Sequence, residues 1–276
     1  MRNYKIVCSD LDGTLLDNNA QISRENLLAI AKLHQKGIFF VPSTGRTFSE
    51  IPTQIKENPA IRYFIYSNGA VVFDRQTNES RLTCMTHRTV QNILAILNDC
   101  KAHITLRHNG NCYVDGAVSN EAAYEYYNVC QAHREVVNAY ALHPADFGDF
   151  CAKVDDVEVI SAFFNDLAEL TQCKCRIEQL GGLRIVGVSE YNLEIMNVEA
   201  GKGNALLCLA EKLGVAPEDT ISMGDSDNDN SIIQAAGLGL AVSNACEALK
   251  VNADAVICSN EEHAAAFVLN HYFENS

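Results

Sequence analysis

The chain alternates strand and helix at both ends, and its middle breaks that rhythm. This interruption limits the possible folds more than any single residue does. At the amino end, the apolar run Ile6-Val7-Cys8 is short enough to be a buried strand. It passes directly into Asp10-Leu11-Asp12-Gly13-Thr14. Ser23 then reads as a helix N-cap, Leu27, Ile30, Ala31 and Leu33 share a helical face, and Gly37 is a fitting stop. A second strand, Ile38 to Val41, ends in Pro42-Ser43-Thr44-Gly45-Arg46. Strand, helix, strand in this order makes the two strands parallel neighbours. A helix is predicted over Phe48 to Glu57, and a third strand, Tyr63 to Tyr66, ends in Ser67-Asn68-Gly69-Ala70.

The same rhythm resumes towards the carboxyl end. Leu193 to Met196 reads as a strand, and Gly201-Lys202-Gly203 opens a helix that runs to Leu213. The strand Thr220 to Met223 ends in Gly224-Asp225-Ser226-Asp227-Asn228-Asp229. Strands Leu238 to Val242 and Ala255 to Cys258, with a terminal helix from about Glu261, complete the alternation. Between the two halves, hairpins are predicted around Gln76-Thr77-Asn78, Asn109-Gly110 and Gly181-Gly182, the last joining Arg176–Gln179 to Arg184–Val188. Helices are predicted over Arg88–Lys101, Asn120–Ala132 and Asp166–Gln172, with a strand over Val157–Phe164. The expected architecture is α/β: a parallel sheet with helices on both faces, formed by 1–84 and 190–276, with an inserted α+β domain at 85–189.

At 276 residues the chain is long enough for one large core or two smaller ones. The net charge of −14 argues against nucleic acid as a partner, because a phosphate backbone needs a basic face. It does not exclude small phosphates, which need only a few well-placed cations. No apolar run approaches membrane-spanning length, and the amino terminus lacks a secretory pattern, so no membrane partner is expected. Most of the eleven cysteines sit singly in apolar runs. They predict reduced thiols in a cytoplasmic protein.

Asp10 and Asp12 stand where a strand gives way to a loop, and strand alternation would point them the same way. Such a pair suits a cation between them, or one carboxyl kept protonated, or simply an Asx-rich turn. Thr44-Gly45-Arg46 could equally be a capping turn, Lys202 a solvated lysine and Asp225 to Asp229 another helix cap. Taken together they say more. All four clusters fall at strand ends or helix starts on one edge of a parallel sheet, where open α/β folds bind ligands.

These motifs resemble the haloacid dehalogenase superfamily, and most of all its Cof-type phosphatases (subfamily IIB, with an α/β C2-type cap). The matching segments are DLDGT at Asp10 to Thr14, STGR at Ser43 to Arg46, GKG at Gly201 to Gly203 and GDSDND at Gly224 to Asp229. SNGA at Ser67 to Ala70 and VSNA at Val242 to Ala245 are also similar to Cof-type segments. The resemblance covers the whole chain. It implies a Mg²⁺-dependent phosphatase acting on small phosphorylated metabolites such as sugar phosphates, through an aspartyl-phosphate. A phosphosugar mutase of the same superfamily and a non-catalytic regulator that binds a phosphorylated ligand are the alternatives. By this resemblance Asp10 is the nucleophile and Asp12 the general acid and base. Asp10, the backbone carbonyl of Asp12 and Asp225 are the metal ligands. The Leu11 amide, Thr44, Gly45, Lys202 and Asn228 contact phosphate. Asp229 holds a water on the metal, Arg46 serves substrate or an ion pair, and Asn68 completes the candidate set. Thr14 orients the motif. Pro42 and Ser231 depart from the usual pattern without removing a catalytic group, and Asp227 is an extra acid in the loop. In the inserted domain Arg107, His108, Asn109, Tyr113, Arg176 and Arg184 are candidates for reading the leaving group.

Overall fold

The computed structural model describes residues 3–187 and 189–274. Contacts divide the chain into two units: Met1–Gly45 with Ile51–Arg81 and Gly201–Ser276, and Arg46–Glu50 with Leu82–Ala200.

The first unit holds a five-stranded sheet. Its order is Ala255–Val256, Leu238–Ala241, Thr220–Gly224, Ile6–Ser9, Phe39–Pro42, with every neighbouring pair parallel. Ile6–Ser9 is therefore an interior strand, flanked by one strand from each end of the sequence. That explains its continuous apolar run, since all four of its residues are buried. The strand Tyr63–Tyr66 meets this sheet through one parallel bridge, Ser43 to Ile65. It then pairs antiparallel with Val71–Asp74, in a three-stranded sheet whose edge is Glu79–Leu82.

Two helices show how the local sequence sets the layers. Arg24–Gln35 begins where the Ser23 side chain accepts from the Asn26 amide, and it buries Ile30 and Leu33. Lys202–Leu213 begins at Gly201 and stops at Gly214, whose φ of 65° is left-handed. It packs Leu206, Leu209 and Ala210 against Ile6, Cys8, Val41 and Ile65. Each fully buried leucine there contributes about 1.5–3 kcal/mol. This packing fixes the start of the helix, and hence Lys202, over the carboxyl ends of the strands.

The second unit is a five-stranded antiparallel sheet in the order Asn111–Val114, His103–His108, Val157–Phe163, Asn192–Asn197, Leu183–Val186. The helices His87–Asp99 and Leu167–Glu178 contribute to a core with Ile104, Leu106, Ile160 and Ile195. Val114 and Phe163 join a second cluster with Tyr124, Val129 and Val137.

Several local expectations give way. The strand at 192–197 pairs antiparallel on both sides, so it belongs to this sheet and does not resume the parallel alternation. The helix expected over Phe48–Glu57 is only Thr53–Lys56, because Pro52 is its N-cap in extended backbone and holds the preceding residues out of helix. Asn120–Ala132 is not one helix. It contains Glu121–Tyr126, a left-handed Asn128 and the start of a second helix, Gln131–Tyr140. Phe147–Lys153 is a further helix, capped by Asp146. The Arg176–Gln179 strand is instead the end of the helix Leu167–Glu178, whose first turn is anchored by Asp166 accepting from the Ala168 and Glu169 amides. Its partner begins at Leu183, and Val188 lies outside the described residues.

Candidate active site

Asp10 follows the last residue of the central strand in extended backbone, and the chain then turns tightly over Leu11–Leu15. The turn changes the geometry that strand alternation implied. Asp10 is buried, whereas Asp12 is exposed. Gly13 makes the turn possible with a φ of 70°, and a Cβ there would lie 2.6 Å from Asp225 Oδ2. The main chain of the first motif is thus pressed against the fourth-motif carboxylate. Thr14 Oγ1 donates to Asp225 Oδ1 at 3.4 Å. Asn244 Nδ2 donates to the Gly13 carbonyl at 2.7 Å and braces the turn from the VSNA segment.

Lys202 is the centre of the charge arrangement. Its Nζ donates to Asp10 Oδ1 and to Asp229 Oδ1, each at 2.6 Å, and the side chain is fully buried. Asp229 Oδ2 also accepts from the backbone amides of Asp225 and Ser226, at 3.0 and 3.2 Å. Asp229 therefore anchors the lysine and shapes the acidic loop. Ligating oxygens of Asp10, Asp225 and Asp229 all lie within 4.8 Å of one another. Asp227 is exposed and meets Cys246 Sγ, outside this trio.

The pKa values follow from this crowding. Burial pushes the Asp10 carboxyl well above the usual range and Asp229 adds to the push, while Lys202 opposes it. Burial and Asp229 likewise push Asp225 up to about 6. Burial alone would discharge Lys202, but Asp10 and Asp229 outweigh it and hold the ammonium above the ordinary lysine range. With all three carboxyls ionised, as a bound cation would hold them, three negative charges against one ammonium leave an excess of two. An all-oxygen donor set with that excess fits a hard divalent cation.

The phosphate-loop candidates sit beside this cluster. Thr44 is buried, and its amide donates to the Ile65 carbonyl at 2.9 Å. A Cβ on Gly45 would stand 3.0 Å from Asn68 Oδ1. Asn228 is held through Nδ2 to Asn68 Oδ1 at 3.4 Å and through Oδ1 to Ser226 Oγ at 2.8 Å. Leu11 is buried at the start of the turn. Ser231, the departure after the acidic motif, accepts from the Gly203 amide at 3.2 Å and so links the lysine helix to that motif. Ser226 and Asn244 were not among the residues singled out. Ser226 was findable as the Ser of a Ser-x-x-Asp capping pattern.

Arg46 belongs to the second unit, where its Nη1 donates to the Glu50 carbonyl at 2.9 Å. Several of the candidates for reading a leaving group are tied into that unit. Arg107 pairs with Glu194 at 3.1 Å, Arg176 with Asp99 at 2.8 Å, and Arg184 donates to the Val198 carbonyl at 3.0 Å. Tyr113 stacks on Phe150 with ring centroids 4.5 Å apart.

Comparison with known proteins identifies the family. The family model of haloacid dehalogenase-like hydrolases matches residues 7–269. Phosphatase YwpJ of Bacillus subtilis is 30% identical over 97% of this chain and 99% of its own length. The B. subtilis 5-amino-6-(5-phospho-D-ribitylamino)uracil phosphatase YcsE is 28% identical over 98% of this chain and 96% of its own. A solved haloacid dehalogenase-like hydrolase from Bacteroides thetaiotaomicron shares the fold, with a TM-score of 0.81 at 23% identity over 98% of this chain and all of that one. With almost its whole length matched by the family model, the chain belongs to the haloacid dehalogenase-like hydrolases.

Proposed function

We propose that this hydrolase is a Mg²⁺-dependent phosphatase of small phosphorylated metabolites, working through an aspartyl-phosphate on Asp10. The observation that carries the reading is the trio of carboxylates, two buried and one half-buried, with Lys202 held between the buried two. Asp10, the backbone carbonyl of Asp12 and Asp225 would hold the ion, which supplies positive charge where two anions, the Asp10 carboxylate and the phosphate, must meet.

The protein groups then divide the work. Asp10 attacks phosphorus and the bond to the leaving oxygen breaks, while Asp12 hands that oxygen a proton. Asp12 next takes a proton from water, the resulting nucleophile attacks the same phosphorus, and the Asp10–phosphorus bond breaks. Exposure suits Asp12 for exchanging protons with a leaving group and with water, and burial suits Asp10 for a single fixed trajectory. Lys202 keeps Asp10 aimed and counters charge on the transferring group. Thr44, the Gly45 and Leu11 amides and Asn228 donate to its oxygens. Asp229 holds the lysine. Arg46 serves substrate or a structural contact, and its hydrogen bond to the Glu50 carbonyl supports the structural one.

A phosphosugar or polyol phosphate is the substrate class we favour. The 28% relative acts on a ribitylamino compound phosphorylated on that chain. Residues 85–189, as an inserted cap domain, would select the leaving group. No helix among the described residues is long and apolar enough to cross a membrane, and all eleven cysteines are free thiols. The thiols favour a reducing, cytoplasmic setting.

Phosphate release from a panel of sugar phosphates, polyol phosphates, nucleotides and cofactor phosphates, with Mg²⁺ and with chelator, tests the proposal. Release that needs Mg²⁺ and disappears in Asp10→Asn is the expected result. Release that survives the substitution, or no release across the panel, overturns it.

A further inference from the structure

Thr44 and Gly45, Lys202, and Asn228 come from three separate segments, and one short turn touches all three. It is Ser67–Asn68–Gly69, where the strand Tyr63–Tyr66 ends. Its φ angles are 50°, 54° and 88°, all left-handed. For a residue with a side chain this conformation costs about 1–2 kcal/mol, and it persists only where neighbours enforce it.

Those neighbours are the proposed phosphate-binding segments. The Asn68 amide donates to the Thr44 carbonyl at 3.0 Å. A Cβ on Gly69 would lie 2.3 Å from the carbonyl carbon and oxygen of Gly201 and 2.8 Å from the Lys202 nitrogen. The turn's backbone is thus packed on the peptide that starts the lysine helix. The Asn68 side chain faces the other way. Its Oδ1 lies 3.0 Å from the place a Gly45 Cβ would take, and it accepts from Asn228 Nδ2 at 3.4 Å. On the far side of Asn228, Ser226 Oγ donates to Oδ1 at 2.8 Å. With a donor on its oxygen, the Asn228 carboxamide must present nitrogen to Asn68, so its orientation is fixed from both ends. One N–H of Nδ2 is committed to Asn68, and the second can donate to a phosphoryl oxygen.

We propose that Asn68 is a positioning residue for phosphoryl transfer, its carboxamide aiming Asn228 and its left-handed backbone setting the spacing between the Thr44–Gly45 loop and Lys202. This rests on the phosphatase reading given above. Asn68 itself need not touch substrate.

The side-chain and backbone roles separate by substitution in the Mg²⁺-loaded full chain. Asn68→Gly keeps the left-handed conformation and removes the carboxamide, whereas Asn68→Ala loses both. Asn228→Ala and the double variant N68G/N228A complete a cycle. The readouts are kcat and KM for an aryl phosphate, the thermal midpoint, and orthovanadate affinity by calorimetry, which needs no turnover. Asn68→Gly is expected to lower kcat and orthovanadate affinity about tenfold, with KM and thermal midpoint close to wild type. Asn68→Ala should lose the same activity and also melt earlier. The double variant should be no worse than Asn228→Ala alone. Wild-type kcat and orthovanadate affinity in Asn68→Gly, or multiplicative losses in the double variant, overturn the proposal. A wild-type protein that releases no phosphate refutes the phosphatase reading instead, and the orthovanadate cycle then decides the role of Asn68 alone.

Discussion

The two units put buried charge to different uses. In the parallel unit, three carboxylates crowd within 4.8 Å, and two of them hold one fully buried ammonium. In the antiparallel unit, the buried acids Glu50, Glu158 and Glu194 together hold the Arg107 guanidinium charged, and each also fastens part of the fold. Glu50 accepts from the Thr47 amide at 2.9 Å, and Glu158 accepts from the Gly110 amide at 2.7 Å and closes a hairpin. Glu194 accepts from Ser161 Oγ on the adjacent strand and from Arg107 on the strand beyond it. Acids tied in this way knit loops and strands together. Carboxylates whose ligating oxygens crowd against one another repel, and a fold keeps such a cluster where it has a use for it.

The largest predicted contrast is in turnover. Asp10→Asn should reduce phosphate release by at least ~10³-fold with unchanged circular dichroism. Glu194→Gln in the other unit should leave the chemical step standing, to be read as kcat under saturating substrate. Equal losses would mean that the two units do not differ in this way.

The next contrast is in stability. Lys202→Ala strands two buried carboxylates and should cost roughly 3–5 kcal/mol in denaturant unfolding with chelator present. Mg²⁺ should restore part of that loss, because a bound dication supplies the missing charge. A variant that loses nothing, or that Mg²⁺ does not help, would mean that the cluster is solvated and not crowded. Leu206→Ala, in the layer that seats the same helix, should cost about 2–5 kcal/mol by leaving a cavity, with no dependence on Mg²⁺.

The most gradual effect is a pH slope in the antiparallel unit, small within any one pH unit. Burial pushes His133 down to about 3, and Arg107 and His103 add to the shift. Its ring faces Thr105 Oγ1 at 3.3 Å and lies tilted against Phe163, with centroids 4.6 Å apart. Above pH 6.5, the ordinary histidine value, the ring is neutral whether folded or unfolded and the term is absent. As pH falls below that value, the unfolded chain takes up a proton that the folded one refuses. Stability then drops by about 1.4 kcal/mol per pH unit until the folded ring titrates near pH 3. Hydrogen exchange along His103–His108 and Val157–Phe163 should report the slope, and His133→Gln should flatten it. A slope that persists in the variant would assign it to other groups.

The parallel unit was the more legible of the two in sequence. Its strands are short apolar runs closed by Asp, Thr, Gly or Asn, and its helices carry caps at Ser23 and a stop at Gly214. Those signals are local, so no tertiary knowledge is needed to read them. The antiparallel unit hides its elements. Gln131–Tyr140 buries only His133 and Val137, so the apolar stripe that would announce it is nearly absent. Asn192–Asn197 reads like any strand, and although one partner, Leu183–Val186, is close in sequence, the other is distant, with Ala162 opposite Leu193. Within the candidate site, residue types are readable from sequence while directions are not. Strand alternation put Asp10 and Asp12 on one side, but the turn that begins at Leu11 sends one inward and the other out to solvent.

The position of Ile6–Ser9 between Phe39–Pro42 and Thr220–Gly224 has a consequence for how the protein is made. The strand that leads into Asp10 is synthesised before its second neighbour, which follows only after more than two hundred further residues. Throughout that interval one edge of an apolar strand is without its ladder, and non-local pairing of this kind is slow and prone to aggregation. The nascent chain is therefore expected to present this strand to chaperones until Thr220–Gly224 has been synthesised. Truncations that end before Thr220 should be held by chaperones, and those that extend past Gly224 released.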